Sequence, residues 1–98
     1  MFHYFLKLIP CRPDFAQTMN EQERNIMLQH IDYWKKYMDE GITILYGPIL
    51  DPKGVYSIGI IAVDNEDQVK ELIKNDPASQ INTYEYFPMR VVVKSVIK

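Results

Sequence analysis

The chain has 98 residues, 47% of them hydrophobic and 24% charged, which suits one small soluble domain with a single core. A net charge of −2 leaves no basic footprint for nucleic acid. The single cysteine, Cys11, excludes an intramolecular disulfide framework and fits a reducing cytoplasm.

Phe2 to Ile9 is dense in aromatic and aliphatic residues and stops at Pro10, so it is predicted to be a strand. Phe2, Tyr4, Leu6 and Leu8 share one of its faces and Phe5 and Ile9 the other. Both faces are therefore apolar, as in a strand covered on both sides. The segment from Cys11 to Gln17 is read as a loop, and Cys11 within it as an inert thiol without a CxxC partner. Thr18 followed by Glu21 matches a capping box, in which each side chain satisfies an orphan backbone donor at a helix start. The helix so begun is expected from Met19 to Glu40, stopping at Gly41 in the left-handed C′ position. Ile42 to Pro48 is a second strand, Ile49 to Gly54 a turn and Val55 to Val63 a third strand. Asp64 is expected to cap a second helix over Asn65 to Asn75, with Val69, Leu72 and Ile73 as its apolar stripe. Pro77 ends that helix. Thr83 to Lys94 is the last strand, in which Pro88 requires an edge position or a bulge.

The order βαββαβ predicts an α+β, ferredoxin-like sandwich over residues 1–98, with a four-stranded antiparallel sheet and both helices on one face. The other sheet face needs a cover, and a second copy of the chain supplies one, giving a homodimer. Tyr84 and Tyr86 share one face of the last strand, which suits that interface. No apolar run approaches the ~18 residues of a membrane span. Residues 1–20 carry no basic segment leading into an apolar one, so a cytoplasmic location is expected.

One polar residue stands out in the first helix. At ~100° per residue, Ile26, Met27, Tyr33, Trp34 and Tyr37 all fall within about 60° of His30. His30 thus points into the middle of the buried arc. A buried imidazole needs partners for its ring nitrogens, a cost that leucine would avoid. Two readings follow: a satisfied core histidine, or a working one. Tyr33, Trp34, Tyr37 and Tyr46 can line a pocket for a ring compound or belong to the core. Gly47-Pro48 can bring backbone close to a ligand or end a strand. His3 and His30 lie on different elements with no metal-ligand spacing between them, so no metal or other cofactor is expected.

Four short stretches, "QHIDYW" in the first helix, "GPILDPKG" after the second strand, "KNDP" closing the second helix and "YEYFPMRVV" in the last strand, occur in an order and spacing that span nearly the whole chain. In these the chain resembles the YciI-like (YCII-related domain) family of the dimeric α+β barrel superfamily. The resemblance implies a homodimer with its sheets face to face and a cavity in each protomer. It further implies a histidine–aspartate pair, by matching position His30 and Asp76, as a candidate catalytic site. Asp76 before Pro77 is, from local sequence, equally a turn device. Activities in the family include dehydrochlorination of a chlorinated hydroxyquinol. Related barrels include muconolactone isomerases, small monooxygenases and polyketide cyclases. The family often has a basic residue before the proline of the last strand, where this chain has Phe87.

The expected function is therefore a cofactor-independent enzyme acting on a small cyclic or aromatic organic acid. His30 is its acid/base, Asp76 the orienting carboxylate, and Tyr33, Trp34, Tyr37, Tyr46, Gly47 and Pro48 the candidate substrate contacts. A histidine fixed in tautomer by a carboxylate has its other nitrogen free to move a proton, which suits isomerisation, elimination or lyase chemistry. The alternative is a non-catalytic module holding a small metabolite in the same cavity.

Overall fold

The computed structural model describes residues 1–92. Its elements are strand β1 (Phe2–Ile9), the one-turn helix α1 (Phe15–Thr18), helix α2 (Glu21–Asp39), strands β2 (Thr43–Ile49) and β3 (Tyr56–Val63), helix α3 (Glu66–Asn75), a 3₁₀ turn (Pro77–Gln80) and strand β4 (Thr83–Met89). The four strands form one antiparallel sheet in the order β2-β3-β1-β4. This is the α+β ferredoxin-like arrangement that the element order predicts. The two strands apolar on both faces, β1 and β3, occupy the centre. β4 is an edge strand, where Pro88 removes no interior ladder bond. The predicted end of that strand at Lys94 lies outside the described residues; Arg90 to Val92 are not in the strand.

Tyr4, Leu6, Ile61 and Val63 from the central strands meet Trp34 of α2 and Val69 and Leu72 of α3 to form the core. The opposite sheet face carries Phe5 paired with Ile60 and Phe87, and Lys7 paired with Ile58 and Glu85. Phe87 on that face is 56% exposed and Leu45 43%.

The start of α2 lies two residues beyond the predicted one. The capping box is Asn20 with Glu23, not Thr18 with Glu21: Asn20 Oδ1 accepts from the Glu23 N–H at 2.8 Å and Glu23 Oε1 from the Asn20 N–H at 3.0 Å. Thr18 is already engaged, since its hydroxyl accepts from Arg12 Nε at 2.8 Å and donates to the Asp14 carbonyl. Arg12 also grips both Glu23 oxygens, at 2.9 and 2.8 Å. That grip and the Asn20 N–H bring the Glu23 carboxyl down to about 2. The segment read as a loop before Thr18 contains the single turn α1. α2 closes as expected at Gly41, whose φ of 82° lets Gly41 N–H reach Met38 O and Ile42 N–H reach Tyr37 O. α3 is capped by Asn65 rather than Asp64, through a 2.9 Å bond from the Gln68 N–H.

If Asn20 holds the first turn of α2, Asn20→Ala costs about 1 kcal/mol, or roughly 4–8 °C in Tm for a domain of this size. Thr18→Val leaves that cap intact and lowers Tm less. Thermal unfolding followed by circular dichroism checks the order of the two variants.

Candidate functional site

The geometry of the site starts from one carboxylate. Asp76 stands between the end of α3 and the 3₁₀ turn, with only 2% of its surface exposed. Its two oxygens have separate duties. Oδ1 accepts the Ala78 N–H at 2.9 Å and caps the turn, which is the local role that Asp before Pro suggests. Oδ2 accepts three side-chain donors: His30 Nδ1 at 2.8 Å, Trp34 Nε1 at 2.8 Å and the Tyr84 hydroxyl at 2.5 Å. Trp34 Nε1 lies a further 3.1 Å from the Tyr84 oxygen.

His30 and Trp34 are one turn apart on α2, so both reach the same point, and Tyr84 comes in from β4 opposite Leu8 of β1. Burial drives the Asp76 carboxyl up. The His30 hydrogen bond and charge, then the Tyr84 and Ala78 bonds, overcome that and hold it below the usual carboxylate range. The Tyr84 hydroxyl is pushed far up by burial and by the Asp76 charge, so it stays a donor at any ordinary pH.

With Nδ1 committed to Asp76, His30 presents Nε2 to the other side of the ring, and this nitrogen has no hydrogen-bond partner among the described residues. His30 itself is 6% exposed and lines a cavity of about 480 Å³ between α2 and the sheet. The walls are mainly apolar, with Leu6, Leu8, Phe15, Met27 and Ile61 among them. An imidazole held by a carboxylate at the wall of an apolar cavity can, chemically, exchange a proton with an occupant. Ser57 lies on the same wall, but no hydrogen bond joins it to His30 among the described residues. Among those residues, no three His, Cys, Asp or Glu side chains come together as a metal set.

Of the residues expected to contact substrate, Trp34, Tyr46, Gly47 and Pro48 line this cavity. Tyr33 and Tyr37 do not. Their rings stack edge-on at 5.1 Å beside Trp34, and the Tyr33 hydroxyl donates to the Leu72 carbonyl at 2.6 Å, tying α2 to α3. Tyr84 and Tyr86, assigned from sequence to a dimer interface, instead face the helices. Tyr84 joins Asp76, while Tyr86 packs on Tyr4 and donates to Glu66 at 3.0 Å. The charged Glu85 between them is the local signal that even-numbered residues of this strand turn inward.

Fold and site together define a ferredoxin-like domain with a buried histidine–carboxylate pair at an apolar cavity. The family model of the YCII-related domain matches residues 3–92, and the chain belongs to that family. No curated protein sequence matches it. Among solved structures, it is similar to 5-chloro-2-hydroxyhydroquinone dehydrochlorinase from Burkholderia phenoliruptrix, in complex with 2,5-dihydroxybenzoquinone. The TM-score is 0.66 at 18% identity, over 89% of this chain and 93% of that one.

The lowered carboxyl fixes the sign of the acid response. Unfolded Asp76 takes up its proton near pH ~4, above the value in the native protein. Its stabilising effect is therefore complete above that pH and decays as pH falls toward the native value. Asp76→Asn is expected to lose about 3 kcal/mol at pH 7 and to show a shallower decline between pH 5 and 3. Glu23 contributes its own acid limb, so the difference between the two denaturation series isolates Asp76.

Proposed function

We propose that the protein is a cofactor-independent acid/base enzyme acting on a small cyclic compound, with His30 moving the proton and Asp76 orienting it. The observation that carries this reading is the division of the imidazole: Nδ1 is bonded to a buried carboxylate, while Nε2 has no partner among the described residues and the side chain lines an apolar cavity. Neutral His30 would take a proton at Nε2 from a ring hydroxyl or an activated ring carbon. The imidazolium so formed is stabilised by Asp76. The proton then returns to a different carbon, giving isomerisation. Alternatively, on a keto tautomer whose leaving group sits on a tetrahedral ring carbon, the electrons of the broken O–H or C–H bond form a C=O or C=C double bond as the leaving group departs with its bonding pair, giving elimination. The latter is compatible with the dehydrochlorination named for the similar structure. Trp34, Tyr46 and the Gly47-Pro48 backbone would pack against the ring. An organic acid, in this setting, is any ring with an ionisable carboxyl or hydroxyl group.

The outer sheet face, with Phe5, Leu45, Ile60 and Phe87, supports a two-fold homodimer that covers it. Sedimentation velocity at micromolar concentration is expected to show a dimer, and Phe87→Glu to shift it toward monomer. A native monomer removes this part of the proposal.

For the chemistry, the assay incubates 5-chloro-2-hydroxyhydroquinone and related cyclic hydroxy compounds in D₂O and follows chloride release and deuterium uptake. Folded His30→Ala should lose roughly 10²–10⁴-fold of any turnover. Unchanged turnover in that variant sinks the role of His30. Binding without chloride release or deuterium uptake by the native protein favours the metabolite-holding module instead.

A further inference from the structure

The wall of the cavity opposite α2 contains one anomaly. Thr43 is 3% exposed, lines the cavity, and its hydroxyl is the one buried side-chain polar atom without a hydrogen-bond partner among the described residues. A buried hydroxyl without a partner is disfavoured, and valine would fill the same volume without that cost.

The backbone explains how Thr43 comes to face inward. Thr43 and Tyr46 are three apart, so in a regular strand they would point to opposite faces. The β2–β3 register shifts between Thr43 and Leu45: Thr43 pairs with Ile61 and Tyr46 with Gly59, two positions on the same face of β3. Ile44 is the extra residue of a bulge, and it turns both Thr43 and Tyr46 toward the helices. The hydroxyl and methyl of threonine exchange places by one step of about 120° in χ1. The oxygen can thus turn to meet an occupant of the cavity.

Charge supplies the second constraint. Among the described residues, no lysine or arginine lines the cavity. Arg12, stacked 5.2 Å from the lining Phe15 ring, is fully committed: its Nη atoms hold both Glu23 oxygens, and Nε and Nη2 reach Thr18. Lys7 lies over the lining Tyr56 ring at 4.6 Å but belongs to the outer sheet face, beside Glu85, and His30 already faces the Asp76 carboxylate. A carboxylate buried here would have no counter-ion of its own among the described residues.

We propose that Thr43 is a specificity-determining ligand contact, and that the cavity selects an uncharged ring with two oxygen substituents, one at His30 Nε2 and one at Thr43, over its carboxylated counterpart. The inference rests on the reading of this cavity as the working site. It narrows the acidic group of the ligand to a hydroxyl.

Three probes test it: hydroquinone, with two hydroxyls; phenol, with one; and 4-hydroxybenzoate, with a carboxylate in place of the second. Binding is followed by chemical-shift titration of the native protein, with the His30 ring resonances as the site marker. Hydroquinone should bind about fivefold tighter than phenol and at least as much tighter than 4-hydroxybenzoate. Thr43→Val should reduce hydroquinone binding to the level of phenol and leave phenol unchanged. The same variant should match or exceed the native Tm, because an unpaired buried hydroxyl is gone. Tighter binding of 4-hydroxybenzoate, or equal hydroquinone binding in Thr43→Val, overturns this inference while leaving the His30 site standing. Should no probe shift the His30 resonances at millimolar concentration, the cavity reading and the inference built on it both fall.

Discussion

A charged carboxylate inside a small protein is the constraint around which this one is organised. Removing an ion from water costs several kcal/mol, and only well-placed donors offset it. Asp76 receives four, from α2, β4 and the 3₁₀ turn. The charge is satisfied only when these elements are docked against one another, so the same bonds that shape the site also specify how the helices lie on the sheet. Breaking any one donor leaves the others holding a partly solvated charge, which makes the cluster cooperative.

The second organising feature is the contrast between the two sides of the cavity. On the α2 side, Tyr84 and Trp34 are both committed to Asp76, and Nε2 of His30 has no partner among the described residues. On the β2 side, a bulge breaks the alternation and presents Thr43 and Tyr46 together. On the proposed reading, a flat molecule between the helix and the sheet would meet His30 on one side and the hydroxyl-bearing Thr43 and Tyr46 on the other. A site of the proposed kind would recognise the placement of oxygens around a ring better than charge.

Features set by local chemistry were legible in the sequence. Gly41 ends α2 because a left-handed residue is needed there, and Pro88 sits at an edge because it cannot donate to an interior ladder. Features set by distant contacts were not. Thr18-x-x-Glu21 and Asn20-x-x-Glu23 both fit a capping box, and the choice is made by Arg12, which occupies Thr18 and grips Glu23. Simple alternation back from Tyr46 puts Thr43 on the outer face, because a bulge leaves no mark in the residue pattern. Burial of His30 follows from helical spacing. The inward turn of Tyr84 depends on its pairing with Leu8, although Glu85 hints at it. Tyr33 and Tyr37 lie on the same arc as His30, yet they face α3 and one another because that arc is wider than the cavity.

The chain has a single tryptophan, and its indole N–H ends on the same carboxylate oxygen as His30. Any event that neutralises Asp76, reorients the imidazole or fills the cavity alters the polarity around that one fluorophore. The unlabelled protein thus has an optical gauge on the wall of the candidate site, and tryptophan emission would follow occupancy there in real time.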